Sequence, residues 1–389
     1  MHSPAPSLYR RPLPPQLVAF ASPEGRALFD AARAAGGLES FFPLIEQFHT
    51  QADPAFCGLG TLVVALNALG VDPGRLWKGP WRWFSEELLD CCSPLERVRA
   101  QGITLDEFAC LARCNGASAD VYRPDAFGLA DFRAAVDAAA RSAVAPALIV
   151  SYDRGSLGQT GAGHFSPIGG YDPASDHVLV LDVARFKYPP HWVALPALYA
   201  ATQPQDPATG RPRGWVALRR HSRPPSLLFT ARCLGDGGFE ALSAALDDLA
   251  ANLARASSND LVAALRALFS ALPGLPLVVE RRPLALSEQT GAAEALLAAL
   301  RGVPLHARVD ALQPPWPTDA VTLLLLALPS RVWSGLSLDA RAELSAMLDP
   351  DRLPLPVRLE ADHVRRQLAD LCALARGPAC ARCEPGCDA

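Results

Sequence analysis

The stretch "TQADPAFCGLGTLVVALNALG" (50–70) places one cysteine, Cys57, directly before a run of helical apolar spacing. Leu59, Leu62, Val63, Leu66 and Leu69 repeat as on one helix face. Asp53 and Pro54 are residue types that open helices. Cys57 is therefore expected at a helix N-terminus, where unpaired N–H groups and the macrodipole favour an anion and lower a thiol's pKa. The chemistry on offer is nucleophilic attack by a thiolate. The plain alternative is a small buried residue at the start of a core helix, and the rest of the chain must decide between them.

A thiol nucleophile needs a base and a third group to orient that base. His164 in "GQTGAGHFSPIGGYD" has a glycine-rich approach and opens a strand; Asp182 sits in the otherwise apolar "VLVLDVA". The turn sequence "DPASD" (172–176) joins the two runs as an antiparallel hairpin. With Tyr171 opposite His177, Ser166 falls opposite Asp182 and His164 opposite Ala184. His164 and Asp182 are then diagonal neighbours on one face, about 7–8 Å apart at Cα, and a one-residue slip separates them. A locally bonded histidine and a solvated carboxylate are the ordinary uses of such residues, but a charge inside an apolar run asks for a partner. His49 is nearer in sequence yet sits in a loop approach and ranks below His164. An oxyanion needs donors, for which the Cys57 N–H and the Gln51 side-chain amide are candidates.

The elements that must hold these residues fall into two textures. Residues 104–116 read as a helix opened by a Thr104/Glu107 capping box, and 132–143 as a further helix. Strands are expected at 145–153, 164–172, 177–185 and 214–220. Helices first and strands afterwards indicate an α+β layout. Beyond "RRHSRPPS" (219–226) alanine- and leucine-rich helical patterns dominate, so the expected division is 1–221 and a mainly α-helical domain over 222–389. The chain has 389 residues, half of them hydrophobic, and a net charge of −4. That balance gives no nucleic-acid footprint and no polybasic membrane surface. The longest apolar run, "VTLLLLAL" (321–328), falls short of the roughly 18 residues a membrane span needs and reads as a buried helix. With no export signal at the N-terminus, the ten cysteines are expected as reduced thiols in the cytoplasm.

"QADPAFCGLGTLVVALNAL", "CNGA", "GQTGAGHFSPIGGYD" and "LDVARFKYPPHWV" together resemble phytochelatin synthase, the glutathione γ-glutamylcysteinyltransferases with a papain-like catalytic domain. The likeness spans roughly residues 7 to 220. It implies Cys57 as nucleophile, His164 as base, Asp182 as orienting acid and Gln51 in the oxyanion hole. The implied substrate is glutathione or its metal thiolate, which yields (γ-Glu-Cys)n-Gly for heavy-metal detoxification. It also implies that Asp206 and Arg213 hold the γ-glutamyl group, with Gly163 lining the substrate site. Transfer in place of hydrolysis calls for cations near the cleft, and Arg185 and Lys187 are candidates.

No organic cofactor is expected; activation by Cd2+, Zn2+ or Cu2+ is expected through the thiolate substrate. Partners are expected to be glutathione and its metal complexes, neither nucleic acid nor membrane, with a homodimer as the assembly to test. Cys91, Cys92, Cys110 and Cys114 read first as buried small residues. The tail "CARCEPGC" offers Cys380, Cys383 and Cys387 as a soft-metal contact that lacks the second ligand pair of a closed zinc site. Two other readings remain at this point: a hydrolase that releases γ-Glu-Cys and glycine, and a metal-binding thiol protein without catalysis.

Overall fold

A computed structural model describes residues 9–74, 76–144, 146–221, 228–233, 238–255, 260–275, 277–281 and 290–376. The chain forms two compact units. The first comprises 1–73, 83–90 and 94–223; the second takes 74–82, 91–93 and 224–389.

The first unit mixes helices with one antiparallel sheet. Its helices are α1 (Pro23–Ala34), α2 (Phe41–Glu46), α3 (Cys57–Ala68), α4 (Leu95–Gln101), α5 (Leu105–Cys114), α6 (Leu129–Ala140) and α7 (Leu195–Thr202). Its strands are β1 (Val18–Ala19), β2 (Ala117–Tyr122), β3 (Ala147–Asp153), β4 (Gly163–Asp172), β5 (His177–Val180), β6 (His191–Ala194), β7 (Gln205–Asp206), β8 (Arg211–Pro212) and β9 (Gly214–Arg220). Seven of them form a sheet in the order β1-β6-β5-β4-β3-β9-β2, and β7 pairs with β8 separately. Leu148, Val150 and Tyr152 of β3 join Phe132 and Val136 of α6 and Leu195 and Leu198 of α7 in one buried cluster, which fixes the sheet that carries the site.

Helices do not all precede strands as expected. β2 lies between α5 and α6 and closes the sheet against β9. "ASADVY" carries too little apolar contrast to announce a strand, and its partner lies a hundred residues on. The Thr104/Glu107 capping box is present, with Thr104 N–H donating to Glu107 Oε2 at 2.7 Å. The helix after Cys57 is not amphipathic: every residue from Gly58 to Leu66 is buried, as expected for a helix that is apolar all round.

The second unit contains α8 (Gly238–Arg255), α9 (Leu261–Ala271), α10 (Thr290–Arg301), α11 (Pro304–Ala311), α12 (Thr318–Ala327), α13 (Leu338–Leu348) and α14 (Leu355–Arg376). The "VTLLLLAL" run is buried within and just after α12. The helical patterning gave no sign of the antiparallel pair β10 (Phe229–Cys233) and β11 (Leu277–Arg281). Glu360 of α14 accepts the N–H groups of Leu228 and Phe229 at 2.9 and 2.6 Å, satisfying main chain at the start of β10. Among the described residues no helix is long and apolar enough to cross a membrane.

Candidate active site

Cys57 is the first residue of α3. Asp53 does not cap the helix; its side chain accepts the Ala55 N–H at 3.1 Å and turns the chain ahead of it, while Phe56 occupies the N-cap. The first-turn N–H groups have no acceptor inside the helix. Gly58 lets this end approach its neighbours, since a Cβ there would lie 2.4 Å from Ile103 Cδ1. Thr61 donates to the Phe165 carbonyl at 3.0 Å and ties α3 to β4. The thiol is therefore held beside the residue that precedes Phe165, which is His164.

His164 Nε2 meets Asp182 Oδ1 at 2.9 Å, and both side chains are buried. Despite its glycine-rich approach, the imidazole is buried. With Nε2 committed to Asp182, Nδ1 is the nitrogen left for the thiol. The hairpin reaches this geometry through a β-bulge. At the turn Asp172 pairs with His177 and Tyr171 with Val178, one residue off the expected register. Continued unbroken, that pairing would put Asp182 on the opposite face from His164. The irregularity between Ile168 and Gly170 restores it: Ile168 pairs with Val180, and Leu181 N–H donates to the Pro167 carbonyl at 3.0 Å. Gly169 and Gly170 permit the bulge, because a Cβ would lie 2.8 Å from Leu181 Cγ at the first and 2.3 Å from Leu38 Cδ2 at the second. β5 ends at Val180, so the expected pairing of His164 with Ala184 does not form; Asp182 Oδ1 instead accepts the Ala184 N–H at 2.9 Å.

The electrostatics draw the thiol and the imidazole toward their charged forms. Burial pushes the Cys57 thiol up, but the His164 charge and hydrogen bond, the Phe165 main chain and Arg154 bring it below its ordinary value. Burial and Arg154 push His164 down, whereas Asp182 and Cys57 outweigh them and raise it. Asp182 is held far below the usual carboxylate range: burial opposes ionisation, and His164 and Arg154 override it. A thiolate facing an imidazolium is thereby favoured.

Arg154 was not foreseen. It follows a buried strand at "SYDRG", where an arginine normally reads as a solvated turn residue. Its guanidinium is buried, lies 2.8–2.9 Å from both Asp182 oxygens and stacks over the Tyr188 ring. Gln51 is also buried. Its N–H donates to the Val183 carbonyl at 3.0 Å, tying this loop to the residue after Asp182. Its amide nitrogen donates to the carbonyls of Asp53 and Pro54 at 2.8 and 3.0 Å. An oxyanion contact would have to redirect one of those N–H groups. His49 pairs with Glu86 at 3.2 Å, and Glu86 also accepts the Ala52 N–H; His49 thus braces the loop bearing Gln51.

Next to His164, the Arg213 guanidinium packs on Gly163, where a Cβ would lie 2.6 Å from Nη1. Arg213 is buried and pairs with Asp206 at 3.1 Å. Arg123 donates to the Pro212 carbonyl and pairs with Asp106 at 2.9 Å, which fixes the β8 segment before Arg213. Arg185 is exposed and lies over the Phe48 ring. Lys187 is half-buried against Gly161, and burial together with Arg154 lowers its pKa. Cys91, Cys92, Cys110 and Cys114 are buried, as expected. Cys380, Cys383 and Cys387 lie outside the described residues.

A thiol at a helix N-terminus, hydrogen-bonded to a histidine that a buried carboxylate orients, can perform nucleophilic acyl transfer. The family model described as phytochelatin synthase matches residues 8–215. The chain belongs to that family. It is 52% identical over 231 residues to a Lotus japonicus protein named glutathione gamma-glutamylcysteinyltransferase 3, covering 59% of this chain and 48% of the relative. The Arabidopsis thaliana protein named glutathione gamma-glutamylcysteinyltransferase 1 is 45% identical over 268 residues, 69% of this chain and 55% of the relative. A Schizosaccharomyces pombe protein named glutathione gamma-glutamylcysteinyltransferase is 46% identical over 222 residues, 54% of this chain and 51% of the relative. The chain spans about half the length of the curated relatives it matches.

Proposed function

We propose that this chain transfers γ-Glu-Cys from one glutathione to another, on a papain-like catalytic unit, and so builds (γ-Glu-Cys)n-Gly. The observation that carries the reading is the buried His164–Asp182 pair beside Cys57, in a chain whose relatives bear the transferase name. The Cys57 thiolate attacks the carbonyl carbon of the cysteinyl–glycine bond. The oxyanion is met by the Cys57 N–H and a redirected Gln51 amide. As the C–N bond breaks, His164 gives its proton to the glycine amine, and γ-Glu-Cys remains as a thioester. The α-amine of a second glutathione then attacks the thioester, His164 takes a proton from it, and the Cys57 thiolate departs.

Asp206 and Arg213 suit the two charges of the γ-glutamyl end, the carboxylate for the ammonium and the guanidinium for the carboxylate. Arg213 Nε is buried with no partner among the described residues, an acceptor that a substrate carboxylate supplies. Lys187 and Arg185 are candidates for the acceptor glutathione, and water must be kept from the thioester for transfer to win over hydrolysis. Cd2+, Zn2+ or Cu2+ enters as a glutathione thiolate and hence as part of the substrate. The cytoplasm, where thiols stay reduced, is the fitting compartment.

The test is incubation of the purified chain with glutathione, with and without Cd2+, and separation of the thiols by mass. Metal-dependent oligomers that vanish in Cys57→Ala are the expected result. γ-Glu-Cys and glycine alone would make the protein a hydrolase, and the acceptor roles of Arg185 and Lys187 would fall. Comparing the full chain with one ending at residue 376 tests the tail: an unchanged Cd2+ response removes Cys380, Cys383 and Cys387 from the mechanism.

A further inference from the structure

Behind the Asp182 carboxylate runs a buried chain of groups that the acyl transfer itself does not use. Arg154 reaches Asp182 through Nη2 and donates from Nη1 to Gln159 Oε1 at 2.8 Å. Gln159 Nε2 meets His191 Nε2 at 3.3 Å, and His191 Nδ1 meets the Pro189 carbonyl at 2.9 Å. Arg154, Gln159 and His191 are all nine-tenths buried or more.

The donor and acceptor pattern permits one assignment. The Pro189 carbonyl only accepts, so His191 carries its proton on Nδ1 and Nε2 is an acceptor. Gln159 must then turn its NH2 toward His191, which leaves its Oε1 toward Arg154. Arg154 can only donate, so this amide orientation is the one it needs. Among the described residues, Asp182, Arg154 and His164 are the charged or titratable groups facing His191; burial, Arg154 and His164 press its pKa down against Asp182 and the Pro189 carbonyl, and the ring stays neutral. The loop carrying Gln159 is closed on itself, with Arg154 N–H donating to Ala162 O and Gln159 N–H to Arg154 O. Tyr188, whose ring lies under the guanidinium, accepts the Thr160 N–H at 2.8 Å.

We infer that Gln159 and His191 are positioning residues for the transfer proposed above: neutral His191 sets the Gln159 amide, which holds Arg154 on Asp182 and so keeps the His164–Cys57 pair aligned. Neither residue touches the reacting atoms. Losing the Gln159 acceptor leaves a buried guanidinium N–H unpaired, and Arg154 shifts to recover a partner. Arg154 lies close enough to lower the Cys57 pKa, so its displacement moves the thiolate toward higher pH.

The test uses the full chain and two readouts. One is turnover of glutathione with Cd2+; the other is the pH profile of iodoacetamide alkylation at Cys57, followed by peptide mass, which needs no turnover. Gln159→Leu and His191→Phe keep volume and lose the polar contact. Each is expected to lower kcat about tenfold with KM nearly unchanged and to shift the alkylation limb upward. Gln159→Glu presents an acceptor to Arg154 and another to a fully protonated His191, and it is expected to recover most of the kcat lost in Gln159→Leu. This isosteric variant also serves where the apolar ones fold poorly. The inference is overturned if the variants keep the wild-type kcat and alkylation profile. It is equally overturned if they lose thermal stability and activity together with the profile unmoved, or if Gln159→Glu is no better than Gln159→Leu. Should the wild-type chain show no turnover, the transfer reading falls by itself and the alkylation profile alone decides the positioning role.

Discussion

Gly163→Ala is a small change whose consequence can be worked out atom by atom. Gly163 is exposed, opens β4 and pairs with Asp153, so alanine suits its backbone. The added Cβ would stand 2.6 Å from Arg213 Nη1 and 2.9 Å from Cζ. Ordinary contact begins at 3.4 Å, so the guanidinium must retreat by about 0.8 Å. Arg213 is buried and tied to Asp206 at 3.1 Å, and it cannot retreat without losing geometry at the site proposed for the γ-glutamyl carboxylate. A hydrogen bond to a charged group is worth about 1.5–3 kcal/mol, which is about tenfold to a hundredfold in kcat/KM. The assay is kcat/KM for glutathione as donor, with Cys57 alkylation as the control. Alkylation should be unchanged, because Arg213 lies outside the Cys57–His164–Asp182 contacts. In an Arg213→Ala background the same alanine should cost almost nothing more, since the two changes act through one contact. A Gly163→Ala protein with wild-type kcat/KM would refute the placement of the substrate carboxylate on Arg213.

The remaining predictions concern charge and packing. His164→Ala removes the main influences that lower the Cys57 pKa, so the alkylation limb should rise to or above the ordinary cysteine value of about 8.5; an unmoved limb would take His164 out of the thiolate's stabilisation. Glu86 is depressed, so its share of stability exists above the unfolded carboxylate value and fades as pH falls through the folded one; His49 is raised, so its share exists below the unfolded imidazole value and fades as pH rises through the folded one. The Tm difference between wild type and Glu86→Gln should therefore be greatest between the two, at about pH 5–6, and a pH-independent difference would show the pair to be electrostatically idle. Glu360→Ala strands two buried N–H groups and should destabilise the second unit by about 2–4 kcal/mol, read by denaturant unfolding. Glu360→Gln, which keeps one acceptor, should cost less, and equal losses in the two would argue against the capping role.

Much of the site was legible in the chain because its signals are local. A helix begins at Cys57 because the apolar spacing and the preceding turn residues say so, and Thr104/Glu107 announces its helix by side-chain chemistry within one turn. The hairpin placed His164 and Asp182 together for a reason that was half correct. The pairing beyond Gly169 is the expected one, while the turn end is offset by one residue. Nothing in the alternation of "HFSPIGGYD" reveals a bulge; adjacent glycines were the available hint. Arg154, Gln159 and His191 were illegible for a different reason. Each is a polar residue in a loop or strand end, and only the sheet order decides that the three meet in the interior.

The sequence by itself named the candidate reactive groups and placed the α3 and α5 helices and the β3, β4 and β9 strands, since spacing, capping and turn chemistry act over a few residues. The tertiary structure alone decided which face Asp182 occupies, that the helix after Cys57 is buried all round, and that a guanidinium sits against the carboxylate. Those outcomes depend on strands and helices tens of residues apart sharing one interior, where desolvation makes every charge seek a partner.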